Sequence, residues 1–172
     1  MEKLLMSSES ATPFSEKEFR TALGQFATGI TVVTARADDK PHIGFTVNSF
    51  NSVSMNPPLI LFSVARTLRR FDLFSVADAY VVNVLTADQE QISNQFAASE
   101  GDKWADVQWR EGEEGAPVLT EALATFECVP WAQYEGGDHI IFVGEVKRFE
   151  TRDDAGALAY FRGRYADVTM RG

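Results

Sequence analysis

Hydrophobic and polar positions change period along this chain. Met1 to Pro13 are small, polar and acidic, and read as a flexible leader. Phe19, Leu23 and Phe26 then recur at helical spacing, with Ala22 and Ala27 beside them. Ser15 and Glu18 fit a capping box, so a helix is predicted from about Glu16 to Phe26, with Gly29 as its stop. Beyond it the pattern turns to β. Ile30 to Ala35 is rich in Thr and Val, and Asp38-Asp39-Lys40-Pro41 carries turn residues. Ile43, Phe45 and Val47 alternate with Gly44, Thr46 and Asn48, a strand with one apolar face. Leu59 to Val64 and Tyr80 to Leu85 are nearly continuous apolar strands. Between them, Thr67 to Val76 reads as a short helix with Leu68, Phe71, Leu73 and Phe74 inward, and Asp88 to Phe96 as another built on Ile92 and Phe96. Ala98 to Pro117 has no sustained period and reads as a long loop, a common site of function. Ala122 to Val129 and Ile140 to Glu150 are the last strands, with a turn at Gly136-Gly137-Asp138, and Ala155 to Tyr160 reads as a terminal helix. Strands outnumber helices and no βαβ alternation appears. The pattern therefore predicts a mainly β fold, a small antiparallel barrel with peripheral helices, as one domain over residues 14–172.

Composition narrows the function. The 172 residues are 45% hydrophobic and 12% aromatic, enough for a core. Sixteen Lys and Arg against 25 Asp and Glu give a charge of -9. That argues against general nucleic-acid binding and against docking on anionic membranes, but not against a small anionic ligand held by local geometry. One cysteine, Cys128, excludes an internal disulfide and a multi-Cys metal site, and two histidines, His42 and His139, disfavour a His-rich one. No apolar run approaches the roughly 20 residues of a membrane span, and the N-terminal apolar stretch is too short for a secretory signal. A soluble cytoplasmic protein is expected.

Five stretches carry candidate chemistry. The segment TVNSFNSVSMNPP, Thr46 to Pro58, has two readings: a polar loop satisfying its own backbone, or a wall for a polar planar ligand. Arg66, Arg69 and Arg70 follow a strand, with Thr67 as a candidate helix cap, and form the best local phosphate site in an acidic chain. Lys103 is a second candidate cation, and Trp104 beside it is either a packing residue or a stacking surface. Gly136-Gly137-Asp138-His139 places an imidazole after two glycines and an acid that can orient it. The basic-aromatic stretch Tyr160 to Tyr165 is a packed terminal element or a lid. P-loop, GxGxxG, HExxH and GxSxG motifs are all missing.

Taken in order, FRTALGQFATGITVVTA, GFTVNSFNSVSMNPPLILFSV, NQFA followed by DKW, ATFEC and GDHIIFVGEV resemble the short-chain flavin reductases, the small components of two-component flavin-dependent monooxygenases. The resemblance implies a split β-barrel of the FMN-binding, antiparallel Greek-key type that forms a homodimer. It implies a flavin, FAD or FMN, touched by Thr46, Val47, Asn48 and Ser49, with Ser52, Val53 and Ser54 near its ring or ribityl chain. Ser63, Arg66, Thr67, Arg69 and Arg70 would serve its phosphate, and Phe96, Ala97, Lys103 and Trp104 its distal or adenine part. His139 would stand near the nicotinamide as the catalytic candidate, with Tyr165 bordering the same pocket. The implied activity is hydride transfer from NADH, or NADPH, to an exchangeable flavin that then serves a separate oxygenase acting on an aromatic or phenolic compound. Its rivals are a non-reductase flavin-binding or electron-transfer protein on the same barrel, and a pure interaction protein.

Overall fold

The computed structural model describes residues 12–37 and 42–170. The expected turn at Asp38 to Pro41 and most of the expected leader lie outside the described residues.

Ser15 opens helix α1 (Glu16–Leu23): its hydroxyl accepts from the Glu18 N–H, and the Glu18 carboxylate accepts from the Ser15 N–H at 2.8 Å. The Phe14 ring meets Phe19 at 5.4 Å, a hydrophobic staple across the cap. The helix stops on Gly24, before the predicted Gly29. None of its residues is buried, and Phe19, Leu23 and Phe26 are 50, 58 and 73% exposed. The apolar residues that recur at helical spacing thus lie on the surface.

The remaining elements follow as β1 (Thr28–Gly29), β2 (Thr31–Ala35), β3 (Ile43–Val47), β4 (Asn51–Met55), β5 (Pro58–Ala65), α2 (Phe71–Ser75), β6 (Tyr80–Val84) and α3 (Glu90–Ala97). Then come β7 (Trp109–Glu111), β8 (Pro117–Leu119), β9 (Ala124–Gly136), β10 (His139–Thr151), β11 (Leu158–Phe161) and β12 (Arg164–Asp167). Every strand pairing among the described residues is antiparallel. Seven strands form one sheet in the order β3-β2-β6-β9-β10-β5-β4. Neighbours are often distant in sequence, as a Greek-key path requires. The sheet curls round its core without pairing its two ends, which makes the barrel split.

The first core draws Val33, Phe45, Phe62, Tyr80, Cys128 and Phe142 from six strands. Phe74 of α2 plugs it, 1% exposed and edge-on to Phe45 and Phe142. Truncating such a ring costs about 3–5 kcal/mol. A second core on the opposite face of β2 joins Ile30, Val32, Leu85, Phe96 and Leu158. Alternate side chains of β2 therefore enter different cores, and all five of its residues are buried. Its buried threonines are satisfied: Thr31 Oγ1 donates to Val47 O at 3.1 Å, and Thr34 Oγ1 bonds the Pro117 carbonyl.

Several expectations need correction. The polar segment after β3 contains a strand, β4, an edge strand whose serines face mostly outward. Strand β9 runs to Gly136, seven residues past its predicted end, because its exposed second half pairs with the mostly buried first half of β10, whereas β10 lies within one residue of its predicted ends. The long loop includes β7. The predicted terminal helix is instead the hairpin β11–β12, turned by Arg162 (φ 51°) and Gly163 (φ 78°), the pattern of a type I′ turn. Helix α2 starts at Phe71, with Arg70 at its N-cap and no side-chain cap, so Thr67 does not cap it. Leu73 is 48% exposed rather than inward.

Tyr80 lies at the centre of the first core, and its Oη has no hydrogen-bond partner among the described residues. Burial raises its phenol pKa, with Cys128 adding to the effect. A buried unpaired hydroxyl costs roughly 1–3 kcal/mol. Tyr80→Phe is expected to raise stability by about 1 kcal/mol, read as a higher urea midpoint with an unchanged slope.

Candidate functional site

Strand β3 pairs with β2 on one side only, so its outer row of backbone N–H and C=O groups belongs to no ladder. Across this open seam Ser49 makes a single stitch. Its Oγ accepts from the Ser63 N–H of β5 at 2.9 Å and donates to the Ser63 carbonyl at 3.3 Å.

Beside the stitch lies a cavity of about 440 Å³, within the range of small-molecule sites. The end of β3 and its continuation supply Phe45 to Ser49, and β5 supplies Ser63 to Ala65. The turn after β5 adds Thr67, Leu68 and Arg69, the end of α3 adds Phe96 to Ser99, and Lys103 and His139 complete the wall. A second cavity of about 410 Å³ adjoins it across Arg69, Ser99 and Lys103, and is otherwise lined by His42, Ile43, Gly44, Arg70, Gly101 and Trp104.

Short bonds hold these walls. Thr46 Oγ1 donates to Ser93 O at 2.6 Å, tying β3 to α3. Gly44 lets α3 come close, because a Cβ there would overlap the Phe96 ring. Lys103 Nζ donates to Phe96 O at 2.9 Å and Gly44 O at 3.4 Å, so the ammonium sits where the cavities meet. Burial lowers its pKa below the usual lysine range, and the Arg69 charge lowers it further. Trp104 Nε1 donates to His42 O at 2.7 Å, and its ring stands edge-on to Phe96.

Elsewhere in the wall of the first cavity, His139 Nδ1 lies 2.8 Å from Asp138 Oδ1. The bond from His139, and then its charge, holds the Asp138 carboxyl below its usual pKa. An ionised carboxylate only accepts, so Nδ1 carries the proton and Nε2 is left for a ligand.

Eleven of the predicted residues line the first cavity: Thr46, Val47, Asn48, Ser49, Ser63, Thr67, Arg69, Phe96, Ala97, Lys103 and His139. Arg70 and Trp104 line the second. Five lie outside both walls. Ser52, Val53 and Ser54 are on β4. Arg66 is paired with Glu135. Tyr165 Oη bonds Ser93 Oγ and Asn94 Oδ1, each at 2.9 Å, fastening the β11–β12 hairpin to α3. Sequence reasoning missed Phe45, Val64, Ala65 and Leu68, whose apolar character points to the core, and His42 and Gly44, which border the second cavity. Adjacency to the predicted residues on β3 and β5 was the available signal. Among the described residues no group of three or more His, Cys, Asp or Glu is placed to hold a metal, and no helix is long and apolar enough to cross a membrane.

An open strand edge beside a cavity of this size, with Arg69 and Lys103 shared by both cavities and His139 lining the first, suits a polar, anionic ligand. Residues 23–169 match the model of the flavin reductase like domain, and the chain belongs to that family. It is 47% identical over 139 residues to the FMN reductase (NADH) SmoA of Agrobacterium fabrum, covering 81% of this chain and 79% of the relative. It is 37% identical over 157 residues to HsaB of Mycobacterium tuberculosis, the reductase subunit of a flavin-dependent monooxygenase, covering 88% and 82%. The structure of the NADH:FAD oxidoreductase SgcE6 from Streptomyces globisporus, in complex with NAD and FAD fragments, superposes with a TM-score of 0.86 at 36% identity. That match covers 94% of this chain and 98% of the other. Other curated relatives are longer, and the chain spans about half their length, 52% and 48% for two of them.

Lys103 provides a direct test of the site's electrostatics. Because its ammonium loses its proton at a lower pH than an ordinary lysine, affinity for FMN should fall as pH rises toward the alkaline range. Lys103→Gln should weaken FMN binding roughly tenfold at neutral pH and abolish that alkaline fall, both read by fluorescence titration.

Proposed function

We propose that this protein is an NAD(P)H-dependent flavin reductase. It passes hydride from a nicotinamide, NADH by preference, to FAD or FMN and hands the reduced flavin to a separate monooxygenase. The observation that carries this reading is the open β3 edge along a cavity whose wall includes Lys103, Arg69 and His139. The residues fit a flavin. A backbone edge offers alternating donors and acceptors to the pyrimidine side of the ring, while small side chains at Ser49, Ser63 and Ala65 allow close approach. Lys103 and Arg69 suit its phosphate.

The chemistry supplied by the two ligands is hydride transfer from the nicotinamide C4 to the flavin N5. The chain contributes alignment, which such a transfer needs more than it needs a strong acid or base. Phe45, Val64 and Leu68 exclude water from the apolar side of the cavity. His139, oriented by Asp138, presents Nε2 toward the nicotinamide carboxamide or the reduced flavin. The neighbouring cavity beyond Lys103 favours FAD, whose adenylate half has somewhere to lie. SmoA and HsaB, named for NADH-dependent flavin reduction and for service to a monooxygenase, support the activity and the partnership. The resemblance also favours an aromatic substrate for that partner.

Steady-state kinetics with the four pairings of NADH or NADPH with FAD or FMN test the reading. Rapid NADH oxidation that depends on added flavin is expected, and flavin binding without it would sink the proposal. His139→Ala should raise KM for NADH by roughly tenfold while leaving flavin affinity near the parent value.

The working form is proposed to be a homodimer. Phe19, Leu23 and Phe26 near α1, and Val53 and Met55 on the β4 edge, are exposed apolar side chains that a second copy would cover. Light scattering should return twice the chain mass, and Leu23→Glu with Phe26→Glu should return the single mass.

A further inference from the structure

We infer that Arg66 is a positioning residue for His139, holding the turn that carries it, rather than a ligand of the bound anion. The inference rests on the flavin reductase reading, in which His139 meets the nicotinamide.

Arg66 follows the last residue of β5, Ala65, which is the register partner of His139. From there it reaches over the two-residue turn between β9 and β10. Its backbone N–H donates to Asp138 O at 3.0 Å, its Nε donates to Gly137 O at 3.4 Å, and its Nη2 bonds the Glu135 carboxylate on β9. One residue thus holds both carbonyls of the turn and the strand behind it. The fork of donors on a guanidinium suits such divergent acceptors, and an ammonium on one stem does not. Gly137 stands at φ 76° in the first central position, a conformation that side chains seldom adopt. The Asp138 side chain is 93% exposed, and its bond to His139 is the contact that orients the ring. A shift of this turn would carry Asp138 and His139 together.

The charges agree with this role. The Arg66 guanidinium already faces a carboxylate and lines neither cavity, while Arg69 and Lys103 line both. Arg66 and Glu135 side chains are 43% and 81% exposed, so their pairing contributes little to global stability. Its loss should therefore register in the site and not in melting.

The test uses the full chain with Arg66→Ala, Arg66→Lys, His139→Ala and the Arg66→Ala/His139→Ala double variant. KM and kcat for NADH are measured at saturating FMN, and FMN affinity by fluorescence titration. Arg66→Ala should raise KM for NADH roughly three- to tenfold with FMN affinity within about twofold of the parent, and Arg66→Lys should recover part of the loss. In the His139→Ala background, Arg66→Ala should add nothing, because the effect runs through the imidazole. An undiminished effect in that background, an unchanged KM, or a loss of FMN affinity in place of the KM change would each overturn the inference. A second readout stands apart from turnover: the imidazole nitrogen shifts of His139, followed by NMR, should change in Arg66→Ala. If the parent protein binds FMN and oxidises no NADH, the reductase reading fails, and unchanged shifts would show independently that Arg66 does not position the ring.

Discussion

The seam that the seven-stranded sheet leaves open is the constraint on which the rest of this molecule depends. A sheet that curls round one core ordinarily hides its edges by closing on itself or by covering them. Here β3 and β4 end the sheet without pairing, and β3 is held toward β5 through the Ser49 hydroxyl. An unpaired backbone edge is a liability in a free strand. Flanked by α3 and by the turn after β5, the same edge becomes the wall of a cavity. Residues around it serve both fold and site: Thr46 anchors α3, Gly44 admits Phe96, and Lys103 ties α3 to β3 while presenting its charge.

Electrostatics follow from that geometry. A chain of net charge -9 opposes an anionic ligand at long range, but screening limits long-range repulsion to about 8 Å at physiological salt. Within that distance the cavities see Arg69, Arg70 and Lys103. Arg66 is spent on Glu135 and the turn. The basic cluster that looks uniform along the sequence is therefore divided between the cavity walls and the turn that precedes His139.

Much was legible from local pattern. The Ser15–Glu18 capping box, the apolar runs of β5 and β6 and the Ile92–Phe96 spacing of α3 appear where their periods place them, because each rests on contacts within a few residues or on simple burial. Elements stabilised mainly by pairing were not legible. Strand β4 and the second half of β9 are exposed segments held by pairing to β5 and β10, so periodicity has nothing to report. The β11–β12 hairpin depends on two positive-φ residues, one of them Arg162, which no propensity favours. The Phe19–Leu23–Phe26 spacing predicts the helix, yet spacing alone cannot say whether its apolar residues are covered.

The sequence by itself determined the class: an acidic, mainly β chain with one cysteine and two histidines, bearing the ordered motifs of the flavin reductases. It also placed eleven of the cavity residues, since Thr46 to Ser49 and their partners belong to segments recognisable as such. Only the tertiary structure decided what each side chain does there. Ser49 stitches the seam, Arg66 turns to Glu135, Tyr165 grips α3, and His42 comes to border a second cavity. The reason is physical. A residue's chemistry is local, but its partners are set by which strands the curled sheet brings side by side, and strand pairing joins positions that the chain keeps far apart.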